Sequence, residues 1–146
     1  MIGLVVTGHG LFAEGMHSSA NMIAGENELV KYVCFKEGMN TEQLSENLVA
    51  AYNELGACDG IIVLSDLPGG SPFRTAVESA MTLPEKKIIV LSGTNLPMII
   101  AGSTMAGFET DPQALADELL FEGKDNVVRF EMAARAEAEE DDEDGI

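Results

Sequence analysis

GIIVLSDLPGGSP, at residues 60–72, combines an apolar run, a glycine-rich loop and the start of a helix. Residues Gly60–Ser65 are almost entirely Ile, Val and Leu, which is typical of a parallel strand covered by helices on both faces. Ser71 and Pro72 are the residue types of an N-cap and of a first helical position, so a helix is predicted to begin there and to reach about Leu83. This strand, loop and helix predict an α/β protein.

The same alternation of strand and helix continues on both sides of that stretch. Apolar runs predict strands at Ile2–Thr7, Leu29–Phe35, Gly60–Ser65 and Lys87–Leu91. Each is followed by a predicted helix, at about Leu11–Ala24, Thr41–Leu55, Pro72–Leu83 and Leu96–Met105. Asn40 is the expected N-cap of the second helix, with Gln43 completing a capping box, and Asn95 is the expected cap of the fourth. Such alternation favours a three-layer α/β/α fold with a mainly parallel sheet, for which 2-1-3-4 is a common strand order.

Two more elements are predicted near the carboxyl end. A fifth helix should begin at Asp111–Pro112 and reach Phe121, with Gly123 close behind its end. Residues Asn126–Met132 read as a last strand that carries charges and has no crossover helix after it. The sequence leaves two placements open, an antiparallel edge strand of the same sheet or a strand paired with a second subunit. Residues 1–132 then form one domain, and an acidic, disordered tail is expected at 133–146.

Composition and charge exclude several classes of function. The net charge is −17, and Glu137–Asp144 holds seven acidic residues and no basic one. Nucleic-acid binding needs a basic face, and adhesion to an anionic membrane needs basic clusters, so neither is expected. No apolar run approaches the ~20 residues of a membrane-spanning helix, and the amino terminus lacks the pattern of a signal peptide. A cytoplasmic location is therefore expected, without membrane insertion.

The predicted topology places the functional site beyond the carboxyl ends of the first and third strands. Ligand sites of open parallel sheets lie where the strand order reverses, which for the order 2-1-3-4 is between those two strands. The loops at this point contain His9 with Gly10, and Asp66 with Gly70 and Ser71. We therefore expect His9 and Asp66 to face each other although they are far apart in the chain.

These residue types suit phosphoryl transfer. If Asp66 accepts a hydrogen bond from one ring nitrogen of His9, the other nitrogen keeps its lone pair and becomes a nucleophile. Gly10, Gly70 and the Ser71 hydroxyl are candidates for binding the phosphoryl group, because free N–H groups at a helix start attract anions. No metal and no cofactor are expected.

Three segments in order resemble a known family. They are VTGHG at residues 6–10, SDLPGGSPF at 65–73 and SGTNLPM at 92–98, each at the carboxyl end of a predicted strand. The combination closely resembles the enzyme IIA domains of the mannose-type bacterial phosphoenolpyruvate:sugar phosphotransferase system (PTS). The resemblance covers about residues 1–132. A tryptophan that some members carry in the loop is absent, since Leu67 and Pro68 stand there.

The resemblance implies a role for each matching residue. His9 matches the histidine that is phosphorylated at Nε2, Asp66 the aspartate that bonds its other ring nitrogen, and Ser71 a serine beside the phosphoryl group. The implied donor is the histidine phosphocarrier protein (HPr), and the implied acceptor is enzyme IIB, with membrane components IIC and IID downstream. Family members are commonly homodimers that exchange a carboxyl-terminal strand, for which Asn126–Met132 is the candidate here.

The same residue types also occur in other classes of protein. His9, Asp66 and Ser71 contain the residue types of a hydrolase triad, but the GxSxG elbow is missing and Ser71, before Pro72, is expected to cap a helix. A non-catalytic ligand-binding or regulatory α/β module, such as a flavin- or nucleotide-binding protein, stays the main alternative, although neither a phosphate-loop nor a GxGxxG motif occurs. A catalytic zinc site needs more ligands than one His and one Asp, and His17 lies within a predicted helix.

Overall fold

The computed structural model describes residues 1–132, which form four strands, five α-helices and a short 3₁₀ helix at Pro84–Lys86. The strands are β1 (Ile2–His9), β2 (Val30–Phe35), β3 (Gly60–Ser65) and β4 (Ile88–Leu91). The helices are α1 (Phe12–Ala24), α2 (Thr41–Glu54), α3 (Ser71–Thr82), α4 (Leu96–Met105) and α5 (Pro112–Asp125). The predicted acidic tail, residues 133–146, lies outside the described residues.

All four strands are parallel, in the order β2-β1-β3-β4, which confirms the predicted fold class and strand order. The register places Thr7 beside Ser65 and His9 beside Phe35. Because β1 and β3 are neighbours, His9 and Asp66 leave the sheet side by side at its carboxyl edge. The topology therefore creates the predicted site.

Helices cover both faces of the sheet, and alternate side chains of β1 divide the core into two halves. Ile2, Leu4 and Val6 pack into one apolar cluster with α1, α4 and α5. Val5 lies in the other cluster, with residues of α2 and α3 such as Leu48. β1 and β3 are buried along their length, as predicted, apart from His9. Residues Ile88–Val90 of β4 are only half-buried, because β4 is the outer strand.

Asn40 and Gln43 form the predicted capping box of α2, in which each side chain accepts the other residue's backbone N–H. Asn95 caps α4, also as predicted. The predicted end of α5 at Phe121 is wrong, because the helix continues to Asp125. Gly123 does not stop it, and a Cβ built there would lie 2.6 Å from the Met98 sulfur. This glycine therefore allows α5 to pack closely on α4.

The predicted strand at Asn126–Met132 does not form within the single chain. Asn126 is the C-cap of α5, and residues 127–131 have no regular structure. Their backbone meets no neighbouring strand among residues 1–132, so no ladder of hydrogen bonds can hold it extended. The edge-strand alternative is thus wrong for this chain alone, whereas pairing with a second subunit stays a prediction.

None of the helices within residues 1–132 is both long enough and apolar enough to cross a membrane.

Candidate phosphoryl-acceptor site

His9 and Asp66 meet at the carboxyl edge of the sheet. The ring Nδ1 of His9 lies 2.8 Å from Asp66 Oδ2, and the same oxygen accepts the backbone N–H of His9 at 2.9 Å. The other oxygen, Oδ1, accepts the backbone N–H of Leu67 at 2.8 Å. The structure therefore brings the predicted pair together and fixes the carboxylate from both sides.

The hydrogen bonds keep Asp66 ionised. Partial burial by itself raises the pKa of this carboxyl group, but the bonds from the His9 backbone, the His9 ring and the Leu67 backbone outweigh it. The net result is a pKa below the ordinary aspartate value. A carboxylate can only accept hydrogen bonds, so Nδ1 of His9 must carry the ring proton. In the neutral imidazole, Nε2 therefore keeps its lone pair.

The imidazole of His9 is partly open to solvent. The His9 side chain is 47% exposed, whereas that of Asp66 is 13% exposed. No residue among 1–132 hydrogen-bonds to Nε2, and the Phe35 ring meets the imidazole edge-on, with centroids 6.2 Å apart. A ring this exposed is accessible to a partner as large as another protein.

The start of α3 lies against the same ring. A Cβ built on Gly70 would come within 2.8 Å of His9 Cε1 and 3.5 Å of Nε2, so only glycine fits beneath the imidazole as it stands. The first N–H groups of a helix lack partners within the helix and attract anions. The helix start is therefore close enough to Nε2 to receive a group attached to it.

The predicted cap of α3 is wrong. The N-cap is Gly70, with extended φ and ψ of −72° and 169°, and it has no side-chain cap hydrogen bond. Ser71 is the first helical residue and Pro72 the second, so both predicted positions shift by one. A residue already inside the helix cannot cap it from outside. Within residues 1–132, the Ser71 hydroxyl thus makes no capping bond that would compete with an anion.

Two glycines shape the His9 loop in different ways. Gly10 has a φ of +58°, which favours glycine, and its N–H donates to the Phe35 carbonyl at 2.7 Å. This N–H already has a partner, so it is not free to bind a phosphoryl group, contrary to the prediction for Gly10. Gly8 was not among the predicted phosphoryl-binding residues, yet a Cβ there would lie 2.9 Å from Asp66 Cγ and 2.5 Å from the Phe12 ring. Its place beside a predicted histidine site was the available signal.

The loop after β4 supports the backbone around Asp66 through hydrogen bonds. Gly93 donates its N–H to the Asp66 carbonyl, and Thr94 donates to the Ser65 carbonyl, both at 3.1 Å. The third segment of the sequence pattern, residues 92–98, thus contacts the second through the backbone. This contact was not predicted, because spacing alone does not reveal which loops touch.

His17, the second histidine, takes no part in this site. Its Nε2 lies 2.9 Å from Glu26 Oε1, and its ring stacks on Tyr32 with centroids 4.3 Å apart. In a hydrolase triad the serine hydroxyl is hydrogen-bonded to the histidine. Among the described residues, Ser71 makes no hydrogen bond to His9. Within the same residues, no three His, Cys, Asp or Glu side chains are grouped to hold a metal ion.

Comparison with protein families and individual sequences gives a consistent match. A family model described as PTS system fructose IIA component matches residues 3–120. The chain is 34% identical, over 119 residues, to the PTS system mannose-specific EIIAB component of Escherichia coli strain K12. That match covers 82% of this chain but 35% of the relative, so the chain spans about a third of the relative's length. It is also 32% identical to the PTS system sorbose-specific EIIA component of Klebsiella pneumoniae, over 68% of this chain and 71% of the relative.

Solved structures agree with the sequence matches. The phosphotransferase system component EIIA from Streptococcus agalactiae superposes with a TM-score of 0.80 at 32% identity, covering 89% of this chain and 98% of that one. The mannose/sorbose specific IIA subunit from Enterococcus faecalis gives a TM-score of 0.78 at 28% identity, covering 89% and 95%.

Proposed function

The chain belongs to the family of PTS IIA components, and from this premise we propose that it is a phosphocarrier that accepts a phosphoryl group on Nε2 of His9. The family gives the class of protein. The phosphorylated atom, the donor and the acceptor are the parts that we propose. The donor is phosphorylated HPr, and the acceptor is an enzyme IIB, in a relay that serves sugar uptake.

In the proposed step, the lone pair of His9 Nε2 attacks the phosphorus of a phosphohistidine on the donor. A nitrogen–phosphorus bond forms on His9 while the donor's nitrogen–phosphorus bond breaks, and that bond's electron pair returns to the donor imidazole. The Nδ1 proton stays between His9 and Asp66, and the carboxylate stabilises the positive charge that develops on the ring. The transfer to IIB is the same step in the opposite direction, with IIB as the nucleophile.

The start of α3 binds the transferred group in this proposal. Phosphoryl transfer requires positioning and stabilisation of negative charge more than covalent help from the protein. The N–H groups at Gly70 and Ser71 and the Ser71 hydroxyl supply both, because this helix start lies beneath the His9 ring.

The observation that carries the proposal is the pair of contacts from His9 to one oxygen of Asp66, at 2.8 and 2.9 Å. They favour one tautomer and one orientation of the neutral ring, and Nε2 has no hydrogen-bond partner within residues 1–132. An ordinary surface histidine would need neither of these two contacts.

The proposal extends to assembly and location. We expect a homodimer in which residues 126–132 pair with β4 of a second copy. Two features support this: β4 is a half-buried outer strand, and Val127, Val128 and Phe130 are 77%, 81% and 64% exposed. A relay that passes through HPr would operate in the cytoplasm.

The test is phosphorylation in a reconstituted relay. The protein is mixed with phosphoenolpyruvate, enzyme I and HPr, and intact mass is measured. We expect one added phosphoryl group on the wild type and on His17→Ala, and none on His9→Ala. His17→Ala is the matched control, since it removes the other imidazole. No added mass on the wild type, with enzyme I and HPr shown to be active, would reject the proposal.

A further inference from the structure

We propose that Arg74 binds the phosphoryl group carried by His9 and neutralises part of its charge. This inference rests on the proposed function. It adds a residue to which neither the sequence pattern nor the hydrogen bonds of the structure give a role. The argument depends on the position of Arg74 on α3, its lack of a partner and the charge that the site must accommodate.

Helix geometry aims Arg74 at the site. Arg74 lies three residues after Ser71, so the two side chains are neighbours on one face of α3, and the Arg74 backbone N–H donates to the Gly70 carbonyl at 2.9 Å. Side chains in a helix lean toward its amino terminus and cover the preceding turn. For Arg74 this turn is Gly70–Ser71, which lies against the His9 ring.

The guanidinium group of Arg74 has no interaction partner among the described residues. Arg74 is exposed, and within residues 1–132 its side chain makes neither an ion pair nor a hydrogen bond. Glu78 lies one turn further along the same face of α3, and within residues 1–132 it forms no ion pair with Arg74. A cation at the start of a helix also opposes the helix dipole, so this position does not help α3 itself.

A phosphoryl group on His9 would be stabilised by a positive charge close to it. It places a phosphoryl dianion on a ring whose other nitrogen already contacts the Asp66 carboxylate, in a chain of net charge −17. Arg74 is the only basic residue of α3. Arginine presents several N–H donors in a plane and matches the oxygens of a phosphoryl group.

Lys36 provides a matched control. It follows directly after β2, close to the same edge of the sheet, but lines a groove on the outer side of β2 together with Glu14 and His17. Lys36→Gln therefore removes the same charge near the site without removing a group that is directed toward Nε2.

The experiment measures the phosphoryl group itself. Wild type, Arg74→Gln, Arg74→Lys and Lys36→Gln are phosphorylated through HPr, the rates are compared, and each phosphoprotein is titrated by ³¹P NMR. We expect Arg74→Gln to be phosphorylated about tenfold more slowly, as expected for a lost charge-assisted hydrogen bond. Its phosphoryl pKa should rise, because the neighbouring positive charge favours the dianion. The rate and the phosphoryl pKa of Arg74→Lys should lie between those of the wild type and Arg74→Gln. Lys36→Gln should match the wild type in both.

The outcomes separate this inference from the proposed function. A wild-type phosphoryl pKa in Arg74→Gln would overturn the inference, even if transfer were slower, because Arg74 would then act on the partner protein. An equal rise of the phosphoryl pKa in Lys36→Gln would also overturn the inference, because the loss of any nearby positive charge would then have the same effect. A wild type that accepts no phosphoryl group would reject the proposed function, and the role of Arg74 with it.

Discussion

Asp66 receives both the backbone N–H and the ring Nδ1 of His9 on a single carboxylate oxygen, at 2.9 and 2.8 Å. The backbone contact fixes where the carboxylate lies, and the ring contact fixes the tautomer. The orientation of the proposed nucleophile is thus built into the fold before any partner arrives, since His9 ends β1 and Asp66 directly follows β3, the adjacent parallel strand.

Replacing Asp66 by Asn should slow phosphorylation by about 10- to 100-fold, the range for loss of a hydrogen bond to a charged group. An amide can donate to Nδ1, which would move the ring proton to Nε2 and block the lone pair. The measurement is the rate of phosphoryl transfer from HPr. Asp117→Asn, on the exposed side of α5, is the control and should react as the wild type does. A wild-type rate in Asp66→Asn would remove this residue from the mechanism.

Replacing Gly70 by Ala should impair transfer more than folding. The φ of −72° at Gly70 suits any residue, so the damage should come from the methyl group, which would lie 2.8 Å from His9 Cε1. Transfer rate and free energy of unfolding are measured together. The control is Gly15→Ala in α1, where a Cβ meets nothing within 4 Å and should stabilise by about 0.5–1 kcal/mol. If both variants transfer equally fast, Gly70 does not position the ring.

The Asp66 contacts should make stability depend on pH in the acid range. The pKa of Asp66 is lowered on folding, so its contribution is complete above the ordinary aspartate pKa of about 3.9 and is lost as the pH falls through the folded value. Unfolding is measured by denaturant from pH 7 to pH 3 for the wild type and Asp66→Asn. The difference in free energy of unfolding should be largest near neutrality and shrink below pH 4. A difference that is constant with pH would contradict the assigned ionisation.

Replacing Phe130 by Asp should abolish dimer formation. In an exchanged strand, alternate residues face opposite sides, so Phe130 would share the apolar side with Val128 and Met132. Burying a carboxylate there should cost more than the strand pairing contributes. Molar mass is measured by size-exclusion chromatography with light scattering. Arg129→Asp changes the neighbouring residue on the other side and should remain dimeric. A monomeric wild type would end the strand-exchange proposal.

Much of the fold was predictable because its signals are local or topological. Apolar runs located all four strands, and cap residues located the starts of α2 and α4. The meeting of His9 and Asp66 followed from the strand order alone. Elements that depend on tertiary context were not predictable in this way. Gly123 lies inside α5 because Met98 packs against it, and residues 126–131 lack the neighbouring strand that they would need.

The detailed geometry of the site could not be predicted from the sequence, because it too depends on tertiary contacts. Ser71 has the residue type of a cap, but the extended backbone of Gly70 takes that position. The contact of Gly70 with the His9 ring and the support of Asp66 by Gly93 join separate loops. Such contacts depend on three-dimensional placement, which residue types and spacing do not specify.

The most direct test of the central claim identifies the phosphorylated atom. Uniformly ¹⁵N-labelled protein is phosphorylated through HPr, and the imidazole nitrogens are assigned by long-range ¹H–¹⁵N correlation with ³¹P coupling. The account predicts phosphorus on Nε2 of His9, a proton on Nδ1, and an unchanged His17. Phosphorus on Nδ1 of His9, or on His17, would contradict it, because the Asp66 contact would then not direct the reaction.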